Sequence, residues 1–173
     1  MLVFLGILAL TSGTSGKAAR MFEEGLAGAR RLGDRSHTYI ALYNLAQMAL
    51  SRGDHYLATT LFEEGITLSE QIGDQANVAY CLEELATVAS VRRQVERCAR
   101  LIGAAEALHE AVGVPVYVYY ELYRPLYERT VTTVRSQLGD PAFEAARAEG
   151  RAMTFEQAAE YALEDDDQVP AEP

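Results

Sequence analysis

The chain has 173 residues, of which 49% are apolar and 23% charged, a composition that excludes a disordered or fibrous protein and is typical of one domain with a continuous core. The formal net charge of -10 is uneven, because residues 164–173 carry five acidic and no basic residues, whereas residues 1–163 carry 20 acidic and 15 basic residues. Such a surface repels phosphate, so we expect no direct nucleic-acid binding. Residues 164–173 are predicted to be an acidic disordered tail.

The apolar start of the chain, residues 1–10, is expected to be neither a secretory signal nor a membrane anchor. No basic residue precedes the apolar run and no cleavage motif of small residues follows it. The run is also too short to span a bilayer. The two cysteines, Cys81 and Cys98, occupy helix positions that small apolar residues hold elsewhere in the chain, which is typical of buried reduced thiols. We therefore expect a cytoplasmic protein with no membrane contact.

One pattern of apolar and small residues recurs three times at intervals of forty residues. Its best copy covers residues 45–74, and the other two lie upstream and downstream of it. A fixed period of this length is the sequence signature of a helical repeat array. The corresponding residues are Leu5, Gly6, Gly13, Ala18 and Phe22 in the first copy, Leu45, Ala46, Gly53, Ala58 and Phe62 in the second, and Leu85, Ala86, Cys98 and Ile102 in the third. The predicted units are residues 1–34, 35–74 and 75–115.

Each unit is predicted to be a pair of helices. In the second unit, apolar residues at steps of three and four predict a first helix from about residue 36 to 51 and a second from about 56 to 72. Gly53 lies in the turn between them. Gly73 is placed to end the second helix, and Asp74 is placed to cap the helix that follows.

The middle copy resembles the tetratricopeptide repeat. The residues that carry this resemblance are Leu45, Ala46 and Ala49 in the first helix and Ala58, Phe62 and Gly65 in the second. The period is longer than the standard unit, and the usual Trp and closing Pro are absent. Gly-Asp pairs instead separate the helices, as in the subclass found in bacterial signal-transduction ATPases and LuxR-type transcriptional regulators.

The resemblance to that subclass continues beyond the repeats. Residues 100–108, 127–129, 138–139 and 149–154 are similar to the run that closes the (MalT-like) C-terminal region of such regulators. The similarity covers about residues 1–163. It implies an all-α fold, a right-handed tetratricopeptide-like superhelix of about three helix pairs with a C-terminal helical cap. It also implies a regulatory role rather than a catalytic one.

The C-terminal region, residues 116–163, is predicted to form the capping helices. Pro125 is well placed as the first residue of a helix that reaches Leu138, and Pro141 starts a second helix that reaches about residue 149. Thr154 and Gln157 have the spacing of a capping box, which predicts a last helix to about Leu163.

No residue pattern points to catalysis, a metal site or a cofactor. The run from Thr11 to Ala18 has the outline of a phosphate loop, but Thr11 stands where that loop needs glycine and Ala18 where it needs a hydroxyl. The three histidines, His37, His55 and His109, lie in different elements without ligand spacing and are interpreted as surface or cap residues. We expect a non-enzymatic protein without cofactors.

The concave face of the array is the predicted binding site, because solenoids of this type hold partners there. The positions of the first helices that do not face the helix seam contribute Tyr43, Asn44, Gln47, Tyr80, Glu83, Glu84 and Thr87. An acidic groove that carries tyrosines favours a basic or amphipathic protein or peptide partner. The alternative, that these side chains are only solvated polar residues, stays open.

The first helix is predicted to be a self-association edge. Phe4 and Ile7 hold the register positions of Asn44 and Gln47, so this helix is apolar on every side and should be covered. The edge residues are Leu2, Val3, Phe4, Ile7 and Leu8. We expect a homodimer, or burial against a partner.

The predicted function is a non-catalytic protein-interaction or regulatory sensor module of a bacterial transcription-regulatory or signalling protein. A second hypothesis is a small-molecule sensor, in which the tyrosine-rich residues 117–127 close an aromatic pocket. The alternative to that pocket is that the tyrosines pack the cap onto the third unit.

Overall fold

The computed structural model describes residues 1–113 and 123–164, and these residues form an all-α, repeat-like fold without a β-strand. The predicted all-α class is confirmed. Residues 114–122, which include Tyr117, Tyr119 and Tyr120 of the predicted aromatic pocket, and the acidic tail beyond residue 164 lie outside the described residues. The helices are α1 (Leu2–Thr11), α2 (Ser15–Leu32), α3 (Arg35–Ser51), α4 (His55–Glu70), α5 (Gln75–Val91), α6 (Val95–Val112), α7 (Arg124–Leu138), α8 (Asp140–Arg151) and α9 (Phe155–Leu163).

The first six helices form three consecutive pairs, each packed on the next. Helices α1 and α2, α3 and α4, and α5 and α6 pack within pairs, and α2 contacts α3 as α4 contacts α5. Small residues lie at the centre of each pair, so that the helices approach closely. Ala18, Ala46, Ala58, Ala86 and Cys98 are all completely buried. Cys98 therefore takes the place of Ala18 and Ala58 in the third pair. Both Cys81 and Cys98 are buried free thiols.

The turns follow the forty-residue period. Gly13 and Gly53 turn the chain inside the first two pairs with φ of 78° and 80°, values in the left-handed region that glycine adopts without strain. Aspartates cap the N-termini of helices α3, α4 and α5. Asp34, Asp54 and Asp74 each accept a hydrogen bond from a backbone N–H three residues later. The predicted cap at Asp74 is confirmed.

The C-terminal helices pack on the third pair from two directions. Helix α8 crosses α6 so closely that the backbones touch, at Gly103 and Gly150. Ion pairs flank this crossing, with 2.6 Å between Arg100 and Glu149 and 2.7 Å between Arg147 and Glu106. Helix α7 packs against α5, α6 and α8. Helix α9 begins with the predicted capping box of Thr154 and Gln157, which is confirmed, and it contacts α4, α5 and α6.

Among residues 1–113 and 123–164, no helix combines the length and the apolar character that a membrane span requires.

Candidate binding site on the inner face

The seven predicted groove residues lie together on two neighbouring helices. Helix α3 contributes three of them and α5 four, and we call the surface that they form the inner face. All seven residues are buried, with at most 8% of the surface of any one residue exposed. The expectation that they line an open groove is therefore corrected, whereas their role in partner binding stays a prediction. They are Tyr43, Asn44, Gln47, Tyr80, Glu83, Glu84 and Thr87.

The inner face is covered partly by the chain's own helix α7. The Thr130 hydroxyl of α7 lies 3.3 Å from the Thr87 hydroxyl of α5. At the start of α7, the ring of Tyr123 packs edge-on against the ring of Tyr43, with 6.1 Å between the ring centroids. Sequence periodicity could not reveal these two contacts, because the partners lie far apart in the chain. Thr87 and Thr130 are separated by 43 positions, and Tyr43 and Tyr123 by 80.

The centre of the inner face is a hydrogen-bonded carboxyl group. Tyr43 donates its hydroxyl to Glu84 Oε1 over 2.9 Å, and Gln47 Nε2 donates to the Tyr43 hydroxyl over 3.0 Å. Burial raises the pKa of the Glu84 carboxyl to about 8, although the hydrogen bonds from Tyr43 and Gln47 lower this pKa. The neighbouring charge of Glu83 raises it further. Glu84 is consequently a buried carboxyl group that still carries its proton near neutral pH.

Two acceptor atoms of the inner face have no hydrogen-bond partner among the described residues. One is the second carboxyl oxygen of Glu84, Oε2, and the other is the side-chain oxygen of Asn44, Oδ1. The Asn44 amide nitrogen is satisfied, because it donates to the Ile40 carbonyl over 2.8 Å. Most buried polar groups in proteins are hydrogen-bonded, and each exception requires an explanation. Asn44 Oδ1 is an acceptor, and Glu84 Oε2 becomes one when the carboxyl group releases its proton, so the complementary group is a hydrogen-bond donor.

A second acidic contact borders the first. Glu83 Oε1 lies 3.3 Å from His109 Nε2 of α6, and both side chains are about nine-tenths buried. The ring of His109 also packs edge-on against Tyr80, with 4.7 Å between the centroids. The interpretation of His109 as a surface or cap residue is therefore wrong. Its place on the second helix of a pair gave no sequence signal for this contact.

The described tyrosines of the predicted aromatic segment, Tyr123 and Tyr127, both face the protein interior. Burial raises the pKa of each phenol above its ordinary value, and the charges of Glu84 and Glu83 respectively contribute. The Tyr123 hydroxyl is buried without a hydrogen-bond partner among the described residues. The ring of Tyr123 contacts Tyr43 of the second unit, and the predicted pocket includes residues outside the described part of the chain, so both alternatives stay predictions.

The predicted self-association edge divides into a buried side and an exposed side. Val3 is only 2% exposed and packs against Gly25 of α2, so its assignment to the edge is corrected. Phe4 and Leu8 are 58% and 65% exposed, Leu2 is also exposed, and Ile7 is partly buried. The exposed side of α1 therefore consists of large apolar side chains.

Comparison with known proteins suggests no function for this chain, so a functional proposal has to rest on the inner face. No protein-family model matches the chain, and no curated protein and no solved structure matches it either. The resemblance to tetratricopeptide regulators stays a prediction. In the described part of the chain, no group of three or more His, Cys, Asp and Glu side chains is arranged to hold a metal ion.

Proposed function

We propose that the chain is a non-catalytic regulatory interaction module, whose inner face binds a basic or amphipathic segment of a partner protein. One observation carries the proposal: buried side-chain oxygens on α3 and α5 lack hydrogen-bond partners, and the hydroxyl that α7 brings to this face contacts Thr87 and not these oxygens. A partner segment with basic side chains would supply donors to these oxygens. The resemblance to bacterial transcription-regulatory and signalling proteins supports the same role.

The covering helix, α7, is weakly anchored compared with the helices beneath it. Only three of its 15 residues are buried, Tyr127, Thr130 and Val134, whereas 13 of the 17 residues of α5 are buried. Because the hydrophobic contribution scales with the apolar area removed from water, α7 contributes little to the stability of its own position. Elements of this kind open at low free-energy cost.

The unpartnered oxygens and the weak anchoring of α7 together indicate that a partner segment can replace α7 on the inner face. In the closed state α7 lies on the inner face, and in the open state a partner segment replaces it. The partner shifts the population toward the open state only by the difference in its affinity for the two states. An amphipathic helix in a groove is a recurrent mode of peptide recognition, and α7 already packs as a helix against α5 of this face.

A reversible disulfide lock, that is, an engineered disulfide that holds α7 on α5 when oxidised, tests the proposal. The hydroxyls of Thr87 and Thr130 are 3.3 Å apart, so the double variant Thr87→Cys/Thr130→Cys places two thiols at a distance that a disulfide can bridge. The probe is a set of amphipathic peptides that contain Lys and Arg, with Gln-substituted counterparts, and binding is measured by fluorescence anisotropy. We expect basic peptides to bind the reduced protein and to lose affinity at least tenfold after oxidation.

The single variant Thr87→Cys is the matched control, and it should bind the same peptides under both redox conditions. The native thiols should not interfere, because burial raises the pKa of Cys81 and of Cys98 to about 12. Equal affinity of the oxidised and reduced double variants would contradict the exchange. Absence of binding by every basic peptide in both redox states would overturn the proposed function.

Small-molecule sensing is the second candidate function, and the buried, unpartnered hydroxyl of Tyr123 favours it. The same lock separates the two candidates. An enclosed small molecule should raise the melting temperature of the oxidised, closed protein, whereas a partner segment should act on the reduced protein alone. A screen of small aromatic and polyol ligands by thermal shift on both forms makes the comparison.

A further inference from the structure

We infer that Glu84 on α5 is the contact point for an alkylammonium group, the side chain of a lysine carried by the partner segment. The inference rests on the proposed function, since the lysine reaches Glu84 when the partner replaces α7. It adds to that function a specific chemical group and a specific position.

The state of the two Glu84 oxygens selects the kind of cation. Oε1 already accepts the Tyr43 hydroxyl over 2.9 Å, and Gln47 holds that hydroxyl in place over 3.0 Å. Only Oε2 is without a partner, and it carries the Glu84 proton, which is released to solvent when an ammonium binds in its place. A guanidinium binds a carboxylate best through two parallel hydrogen bonds that occupy both oxygens. An ammonium is a compact point charge that needs one oxygen. The geometry therefore favours lysine over arginine.

The aromatic surroundings suit the same group. The ring of Tyr43 lies beside the carboxyl group that its hydroxyl binds, and the edge-on contact of Tyr123 with this ring, at 6.1 Å between centroids, is released when α7 leaves. Ring faces attract an ammonium, and they also pack well against the methylene stem of lysine. Asn44 Oδ1 is a further acceptor without a donor, one repeat upstream at the position equivalent to Glu84.

The charges near Glu84 also favour a cation. Glu83 raises the pKa of Glu84, which means that the two carboxyl groups repel each other as anions. His109 faces Glu83 rather than Glu84, with 3.3 Å between Nε2 and Oε1. The chain's only lysine, Lys17, is exposed on α2 and is not part of the inner face. A lysine at Glu84 must therefore come from another segment.

A double-mutant cycle tests the contact. The probe is the tightest-binding lysine peptide from the set above, compared with versions in which each lysine in turn is Gln or acetyl-lysine. One lysine position is expected to couple to Glu84. Glu84→Gln should lower the affinity for the parent peptide at least tenfold. The peptide with Gln at the coupled position should bind Glu84→Gln and the wild-type protein with affinities that agree within twofold. Glu160→Gln, at an exposed position on α9 outside the inner face, is the matched control and should change the affinity of the parent peptide less than threefold.

Two further measurements distinguish this contact from loss of folding and from binding that does not involve the ammonium group. Circular dichroism of Glu84→Gln checks that the helices are intact, and n-butylamine serves as a competitor that carries the ammonium without a peptide. Weak competition by n-butylamine at millimolar concentration, lost in Glu84→Gln, supports the contact. If peptides bind but Glu84→Gln has no effect on any of them, the inference is overturned and the interaction module stands. If no peptide binds the reduced protein, the proposed function fails first.

Discussion

The Tyr43 hydroxyl donates to Glu84 Oε1 over 2.9 Å and thereby connects the first helix of the second pair to the first helix of the third. Both side chains are buried, so the bond lies inside the protein and not on a solvated groove. Burial raises the pKa of Glu84 from its ordinary value of 4.5 to about 8. The folded protein consequently holds a proton that the unfolded chain releases at a lower pH.

The first prediction is that Glu84 makes folding stability fall as pH rises. Below about pH 4.5 the carboxyl group is protonated in both states, and between about 4.5 and 8 only the folded state keeps its proton. Stability falls through that window because the unfolded state binds fewer protons, and it levels off above the folded-state pKa. At about 1.4 kcal/mol per pKa unit, the effect amounts to a few kcal/mol. Urea unfolding of the wild type and Glu84→Gln at pH 5 and pH 8.5 measures it.

Glu84→Gln should be more stable than the wild type at pH 8.5, and the advantage should shrink at pH 5. Other groups titrate in the same range, so the difference between the two proteins is the quantity to compare. Glu160→Gln, at an exposed position on α9, should run parallel to the wild type. Parallel pH profiles for Glu84→Gln and the wild type would show that Glu84 is not a buried, neutral acid.

The second prediction concerns the turn of the third pair. Arg93 adopts a φ of 61° at the position where Gly13 and Gly53 have 78° and 80°. A side chain in this region is strained by about 1–2 kcal/mol, whereas glycine is not. Replacement of Arg93 by glycine removes this strain, but part of the stabilisation is lost because glycine has more conformational freedom in the unfolded chain. We expect Arg93→Gly to stabilise the protein by about 0.5–1 kcal/mol in urea unfolding.

The reverse change at the equivalent position provides the control. Gly53→Arg should destabilise the second pair by a comparable or larger amount, because it introduces the same strain. A loss of stability in Arg93→Gly would mean that the exposed arginine makes a contact worth more than the strain.

The local elements of this fold could be predicted from the sequence because local signals determine them. The forty-residue period located the three pairs, Asp74 was placed correctly as a cap, and the Thr154–Gln157 capping box formed as expected. Each of these features depends on residues close together in the chain. Periodicity and capping chemistry are therefore sufficient to find them.

The burial of the inner face could not be predicted in the same way. Gln47 and Glu84 are polar residues at helix positions away from the seam, and such residues are normally solvated. They are buried by tertiary packing around α3 and α5, of which the contact between Tyr123 and Tyr43 is one part, and no local pattern encodes that packing. The burial of Val3 could not be predicted for a related reason, since the sequence of an all-apolar helix does not show which of its sides faces α2.

The third prediction concerns the crossing of α6 and α8. A Cβ at Gly103 would overlap the carbonyl oxygen of Arg147, and a Cβ at Gly150 would overlap that of Arg100. Backbone atoms cannot move aside as a flexible side chain can, so the two helices would have to separate. We expect Gly103→Ala and Gly150→Ala each to cost about 1–3 kcal/mol, the usual range for overpacking. Thermal and urea unfolding measure the loss.

Gly28 is the matched control for that crossing, because it also lies inside a helix but a Cβ there would meet nothing within 4 Å. Gly28→Ala should stabilise the protein by about 0.5–1 kcal/mol, as alanine is the better helix former. A similar gain in Gly103→Ala would show that the helices are further apart than described.

The fourth prediction is that the exposed side of α1 drives self-association. Phe4 and Leu8 are 58% and 65% exposed, and α1 from Leu2 to Thr11 contains no charged residue that would oppose contact with a second copy. Removal of such apolar area from water favours association by roughly 25 cal/mol per Å² before the costs of binding. We expect a concentration-dependent dimer in light scattering. Phe4→Ser/Leu8→Ser should shift it to monomer while leaving the circular dichroism spectrum unchanged, since neither side chain is buried in the pair.

Val3→Ala distinguishes association from folding. Val3 packs against Gly25 inside the first pair, so its truncation should lower stability without removing the exposed apolar side of α1. A dimer that survives Val3→Ala but not Phe4→Ser/Leu8→Ser places the interface on the exposed side. A wild-type protein that remains monomeric across the micromolar to millimolar range would instead contradict self-association through α1.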